Sequence, residues 1–81
     1  MLKIYGLMRC PDCQVCREAL DRANVEYEYL DFADSVLHLK EFLALRDSCE
    51  EFAEAKEKGS IGIPCILRED GTVTLRWEEF L

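Results

Sequence analysis

Between Val25 and Leu30 apolar and charged side chains alternate, and from Pro11 to Asn24 apolar positions recur at helical spacing. In the second stretch Val15, Cys16, Ala19, Leu20 and Ala23 share one face, and Gln14, Arg17, Glu18, Asp21 and Arg22 fill the other. This predicts an amphipathic helix. Pro11 suits its first turn, where a missing N–H costs nothing. The alternating stretch puts Val25, Tyr27 and Tyr29 on one side and predicts a strand running to Asp31. Ahead of both, Lys3-Ile4-Tyr5-Gly6-Leu7 is a β-branched and aromatic run, closed by Gly6 and the less regular Met8-Arg9, which predicts a first strand and a turn. A strand-helix-strand unit of this size implies a parallel pair joined by a right-handed crossover.

The second half of the chain is less regular. Asp34 or Ser35 can cap a helix through Val36, Leu39, Phe42 and Leu43 to about Asp47. Ser48-Cys49-Glu50-Glu51 then has capping-box spacing and predicts a new short helix that buries Phe52 and Ala55 and stops at Gly59. Ile61 to Leu67 is an apolar strand candidate. Asp70-Gly71 predicts a tight reversal into Thr72-Val73-Thr74-Leu75, and Trp77 to Leu81 suffices for one last helical turn. The expected architecture is α/β, a four-stranded mixed sheet flanked by helices, forming one domain over residues 1–81.

Composition agrees with a folded domain. Of 81 residues 49% are hydrophobic and 33% charged, with four glycines and two prolines. Acidic residues outnumber basic ones by 17 to 10, a net charge of −7. That balance argues against nucleic acid or an anionic membrane as partner, because affinity for phosphate comes from Lys and Arg. Met1 leads directly into the first strand with no apolar stretch of signal-peptide length, so the expected compartment is the cytoplasm. A monomer is expected.

Five cysteines in so short a chain are an odd set without an export signal, which points to redox or metal chemistry rather than a disulfide framework. Three cluster as Cys10-Pro11-Asp12-Cys13-Gln14-Val15-Cys16. The loop carrying Cys10 leaves the carboxyl end of a strand and enters a helix N-terminus, where unpaired N–H groups and the macrodipole favour an anion such as a thiolate. Arg9 adds a cation and Asp12 opposes it, so a moderate lowering of the Cys10 pKa is expected. Cys13 lies one turn on, within reach of an intramolecular disulfide with Cys10 and able to displace a substrate from it. A zinc half-site is the competing reading of C-x-x-C. No C-x-x-C lies outside this cluster and the one histidine, His38, sits in the helix after the second strand, so no familiar zinc spacing is completed and no metal ligands are assigned. An iron–sulfur or other metal module using Cys10, Cys13 and either Cys16 or Cys65 stays as the alternative.

These residues resemble the glutaredoxins of the thioredoxin superfamily over nearly the whole chain. Lys3-Ile4-Tyr5-Gly6 and Cys10-Pro11-Asp12-Cys13 look like the family's first strand and Cys-Pro-x-Cys active site, and Ile63-Pro64 like its Thr-Val-Pro segment. The resemblance implies a thioredoxin/glutaredoxin-like fold and a thiol–disulfide oxidoreductase. Cys10 would be the nucleophile, Cys13 the resolving thiol, and Pro64 a cis residue that exposes the Ile63 backbone to a substrate chain. Substrates would be protein or small-molecule disulfides, with glutathione or a thioredoxin-reductase system as reductant and no tightly bound cofactor. Two positions depart from the family. Leu7 stands where a Lys is usual, and Leu75-Arg76-Trp77-Glu78 replaces a Gly-Gly stretch and its acidic residue. Weak glutathione binding is therefore expected, with Arg9 and Arg76 as substitute cations and Glu78 as the acidic contact.

The other candidates have plainer explanations. Cys16 shares the apolar helix face and reads first as a core residue. Cys65 can pack or react, Cys49 is incidental, His38 lacks a catalytic partner, and Glu50, Glu51, Glu54 and Glu57 form a solvated face. Trp77 either caps the core or borders a groove.

Overall fold

The computed structural model describes residues 1–81. Its sheet has the order β2-β1-β3-β4, built from β1 (Leu2–Gly6), β2 (Tyr27–Asp31), β3 (Cys65–Leu67) and β4 (Val73–Thr74). β1 and β2 run parallel in the register Leu2↔Tyr27 to Gly6↔Asp31, whereas β3 pairs antiparallel with both β1 and β4. The fold is thus α/β with a four-stranded mixed sheet, as the strand-helix-strand pattern and the Asp70-Gly71 reversal predict.

Side chains leave the sheet alternately. On one face Ile4, Ile66, Cys16 and Leu20 form a core that Tyr27, Tyr29, Trp77 and Phe80 border. On the other Tyr5, Leu30, Cys65 and Val73 pack with Phe42 and Phe52. Phe42 meets Phe52 edge-on, with ring centroids 5.6 Å apart. The first face is covered by α1 (Pro11–Arg22), which buries Cys13, Cys16, Ala19 and Leu20. Val15 and Ala23, expected on that face, are exposed. The buried stripe instead starts one turn earlier, at Cys13. The helix also ends at Arg22, because Asn24 turns to a positive φ of 57° and delays β2 to Tyr27.

Helix α2 (Val36–Ser48) is capped by Ser35, whose hydroxyl accepts from the Leu37 N–H at 3.2 Å. The capping box expected at Ser48 does not form. Ser48 is the last residue of α2, and its hydroxyl donates back to the Ala44 carbonyl at 2.9 Å. A 3₁₀ turn, Glu50–Phe52, leads into α3 (Ala53–Lys58), which closes at Gly59. Strand β3 starts at Cys65, four residues later than the apolar run suggests. The reason is Gly62, at φ 95°, where a Cβ would stand 2.7 Å from the Phe52 ring. Only glycine fits there, and the chain leaves extended geometry before Pro64. A final 3₁₀ turn, Trp77–Phe80, closes the sheet edge. No helix is long and apolar enough to cross a membrane.

Candidate functional site

Strand β1 ends at Gly6, and the loop through Arg9 returns to Cys10, the N-cap of α1 at φ −73° and ψ 121°. Three contacts hold this loop. The Cys10 N–H donates to the Leu7 carbonyl at 3.2 Å, the Gln14 side-chain amide donates to the Met8 carbonyl at 2.8 Å, and the Met8 N–H donates to the Asp31 carboxylate at 3.0 Å. Asp31 is the part of the site that sequence reasoning missed. It is 3% exposed at the end of β2, accepts a second N–H from Ala33 at 2.8 Å, and its carbonyl lies 2.8 Å from His38 Nδ1. Its place at the close of the second strand, level with Gly6, was the available signal. A buried carboxylate there ties together the two loops that follow the parallel strands.

The two thiols of the motif differ. Cys10 is half-buried and lines a cleft of about 510 Å³ with Leu7, Arg9, Asp12, Ile61 and Ile63. Cys13 is fully buried beneath it. Burial pushes the Cys13 thiol up to about 11, with the neighbouring Cys10 adding to the rise and contacts from the Leu7 backbone and the Tyr29 hydroxyl opposing it. Cys13 and Tyr29 meet across Gly6, where a Cβ would stand 2.8 Å from both the Cys13 sulfur and the Tyr29 oxygen. Gly6 is therefore more than a strand terminator.

The Ile63-Pro64 bond is cis. Ile63 lines the Cys10 cleft and, with Gly62, Asp12 and Ser60, also borders an adjoining groove of about 680 Å³. The guanidinium of Arg46 fixes the approach to this segment, donating to the Ser60 and Ile61 carbonyls at 3.0 and 2.9 Å. Arg76, Pro64 and Thr74 line the larger groove, together with Lys58, Arg68 and Glu79. Cys10, Arg9, Ile63, Pro64 and Arg76 thus fall along one continuous depression. Glu78 does not. The terminal 3₁₀ turn points Glu79 into the groove, where it bonds Arg68 at 2.7 Å and Thr74 at 3.2 Å, while Glu78 acts on the Cys16 side of the sheet and raises that thiol.

Cys16 and Cys65 are both fully buried, and burial pushes each thiol up to about 12. Cys16 packs against Ile4, Leu20 and Ile66, the core role read from its helix face. Cys65 lies in the opposite core, with half-buried Cys49 packed beside that cluster. No three His, Cys, Asp or Glu side chains converge as a metal-ligating group. Trp77 borders the core of Cys16 rather than either groove.

No protein-family model matches the chain, and no solved structure matches it. An uncharacterized protein of Haemophilus influenzae is 41% identical to it over 66 residues, which cover 82% of this chain and 77% of that protein.

Proposed function

The chain belongs to the same family as the Haemophilus influenzae protein, and we propose that it is a dithiol–disulfide oxidoreductase with a thioredoxin-like fold of the glutaredoxin type. The observation that carries this reading is the disposition of two thiols one helical turn apart, Cys10 half-buried at the N-cap of α1 and Cys13 buried behind it. The N-terminal N–H groups of a helix stabilise a thiolate, and an accessible thiolate is the attacking species in disulfide exchange. Cys10 attacks one sulfur of a substrate disulfide and expels the other half as a thiolate. The Cys13 sulfur then attacks Cys10, expels the remaining half and closes the Cys10–Cys13 disulfide. The substrate gains two electrons and is reduced to two thiols, and the protein dithiol is oxidised by the same two. Glutathione or a thioredoxin-reductase system in the cytoplasm returns them.

The surroundings favour an extended polypeptide disulfide over glutathione. The backbone N–H and C=O of Ile63 bond to no other backbone group, so they are free to pair with a substrate strand beside Cys10. Leu75 and Arg76 place side chains in the larger groove where close backbone approach by a tripeptide carboxylate would need glycine. Arg9 and Arg76 supply cations for an acidic substrate flank.

The test is mass spectrometry of the protein oxidised by a model protein disulfide. The wild type is expected to form a Cys10–Cys13 disulfide, Cys13→Ser to accumulate a mixed disulfide at Cys10, and Cys10→Ser to be inactive. Activity retained by Cys10→Ser but lost in Cys13→Ser reverses the roles, and failure of the wild type to form the bond overturns the proposal.

A further inference from the structure

Two buried side-chain polar atoms lack a hydrogen-bond partner, the Tyr29 hydroxyl and Arg17 Nε. They are neighbours. The Arg17 guanidinium lies over the Tyr29 ring, 4.3 Å from its centroid, and its other arm reaches the Met8 sulfur. An unpaired buried hydroxyl costs free energy, and one beside a reactive sulfur requires an explanation. Gly6 supplies the geometry, because the absence of a Cβ there lets the Tyr29 oxygen and the Cys13 sulfur approach from either side of the strand end. Burial keeps the Tyr29 phenol protonated, well above its ordinary 10.0, so it can donate a hydrogen bond but cannot act as a base.

Resting on the oxidoreductase reading, we propose that Tyr29 is a positioning residue for the second half-reaction, its hydroxyl donating to the Cys13 sulfur as that sulfur gains charge. While Cys13 is a thiol, the donor has little to bind, which leaves it orphaned in the reduced protein. As Cys13 attacks, its S–H proton leaves for solvent, the Cys10–substrate S–S bond breaks, the Cys10–Cys13 bond forms, and the electron pair departs on the substrate sulfur. Tyr29 keeps its proton throughout. Arg17, stacked on the ring, makes the phenol a stronger donor and has no acidic partner of its own to divert it. The Tyr29 donor acts in the same direction as the Leu7 backbone contact, both favouring the charged Cys13 sulfur against its burial.

The experiment compares wild type with Tyr29→Phe, which removes the hydroxyl alone and leaves the ring under Arg17. Reduced protein is mixed with an aromatic disulfide that releases coloured thionitrobenzoate twice, once when Cys10 attacks and once when Cys13 resolves. In Tyr29→Phe the second phase should slow about ten-fold or more relative to the first, the effect of losing a hydrogen bond to a charged sulfur. Its half-maximal pH should move up by about one pH unit. The thermal midpoint of the reduced variant should equal or exceed that of wild type, because an unsatisfied polar atom has been removed. A lowered midpoint with an unchanged pH profile of the second phase would show a merely structural hydroxyl and overturn the inference. So would a second phase at the wild-type rate. A wild type that releases only one equivalent instead refutes the dithiol reading itself, and the role of Tyr29 falls with it.

Discussion

Alkali should unfold this protein earlier than its size suggests, because three of its thiols are held out of water. Burial holds Cys13 up at about 11, and Cys16 and Cys65 at about 12, against the ordinary 9.0. A thiol whose pKa is raised by folding contributes its full stability below the unfolded value and loses it as pH climbs toward the folded one. In that window the unfolded chain has released protons that the native state still binds, so stability falls with pH. At about pH 10 each unfolded thiol has gained about 1.4 kcal/mol by ionising while its native counterpart has gained almost nothing. Three such thiols remove about 4 kcal/mol, a large share of the roughly 5–15 kcal/mol available to a small domain. The raised pKa values of Tyr5, Tyr27 and Tyr29 act in the same direction, chiefly above their ordinary 10.0. Urea unfolding of the reduced protein, followed by Trp77 fluorescence at about pH 7 and about pH 10, measures the loss directly. The double variant Cys16→Ala/Cys65→Ala is less stable at neutral pH, yet its loss across the same interval should shrink to about 1.4 kcal/mol, the share of Cys13 alone. A wild-type loss below about 1 kcal/mol, or a double variant that loses as much as wild type, would refute the reasoning.

Two further perturbations follow from the loops around Cys10. Gly6→Ala forces a Cβ to 2.8 Å from both the Cys13 sulfur and the Tyr29 oxygen, and should cost about 1–3 kcal/mol in chemical denaturation. Asp31→Ala strands the Met8 and Ala33 N–H groups and should cost about 3 kcal/mol, read as a lower thermal midpoint together with faster alkylation of Cys10.

The parts of the fold that a linear reading captured are those where one local preference acts alone. Helix α1 and strand β2 are present where their repeats predict them, with only their ends and the edge of the buried stripe shifted, and Pro11 and Ser35 mark the starts of α1 and α2. Where two preferences compete, only packing decides. Ser48 can cap a following helix or bond back within its own, and the continuous run of α2 to Ser48 favours the second. Ile61 to Leu67 is apolar throughout, but the Phe52 ring under Gly62 delays the strand. The terminal turn offers two adjacent glutamates, and the winding of that turn rather than residue type sends Glu79 to the groove in place of Glu78. Asp31 was the hardest to foresee, since a charged residue at a strand end reads as solvated until the loop it anchors is visible.

The alternation of side chains across β1 and β3 also sorts the sulfur of the molecule. Cys13 and Cys16 lie on the α1 side of the sheet, and Cys65, with Cys49 beside it, lies on the other. Disulfide exchange passes only between sulfurs that touch, so a sheet one residue thick acts as an insulator between two thiol pools. On the oxidoreductase reading, oxidising equivalents that enter at Cys10 pass to Cys13 on the same side, and Cys65 lies across the sheet from both. The sheet thus keeps Cys49 and Cys65 apart from the motif, while Cys16 shares the motif's side of the sheet and is packed among Ile4, Leu20 and Ile66.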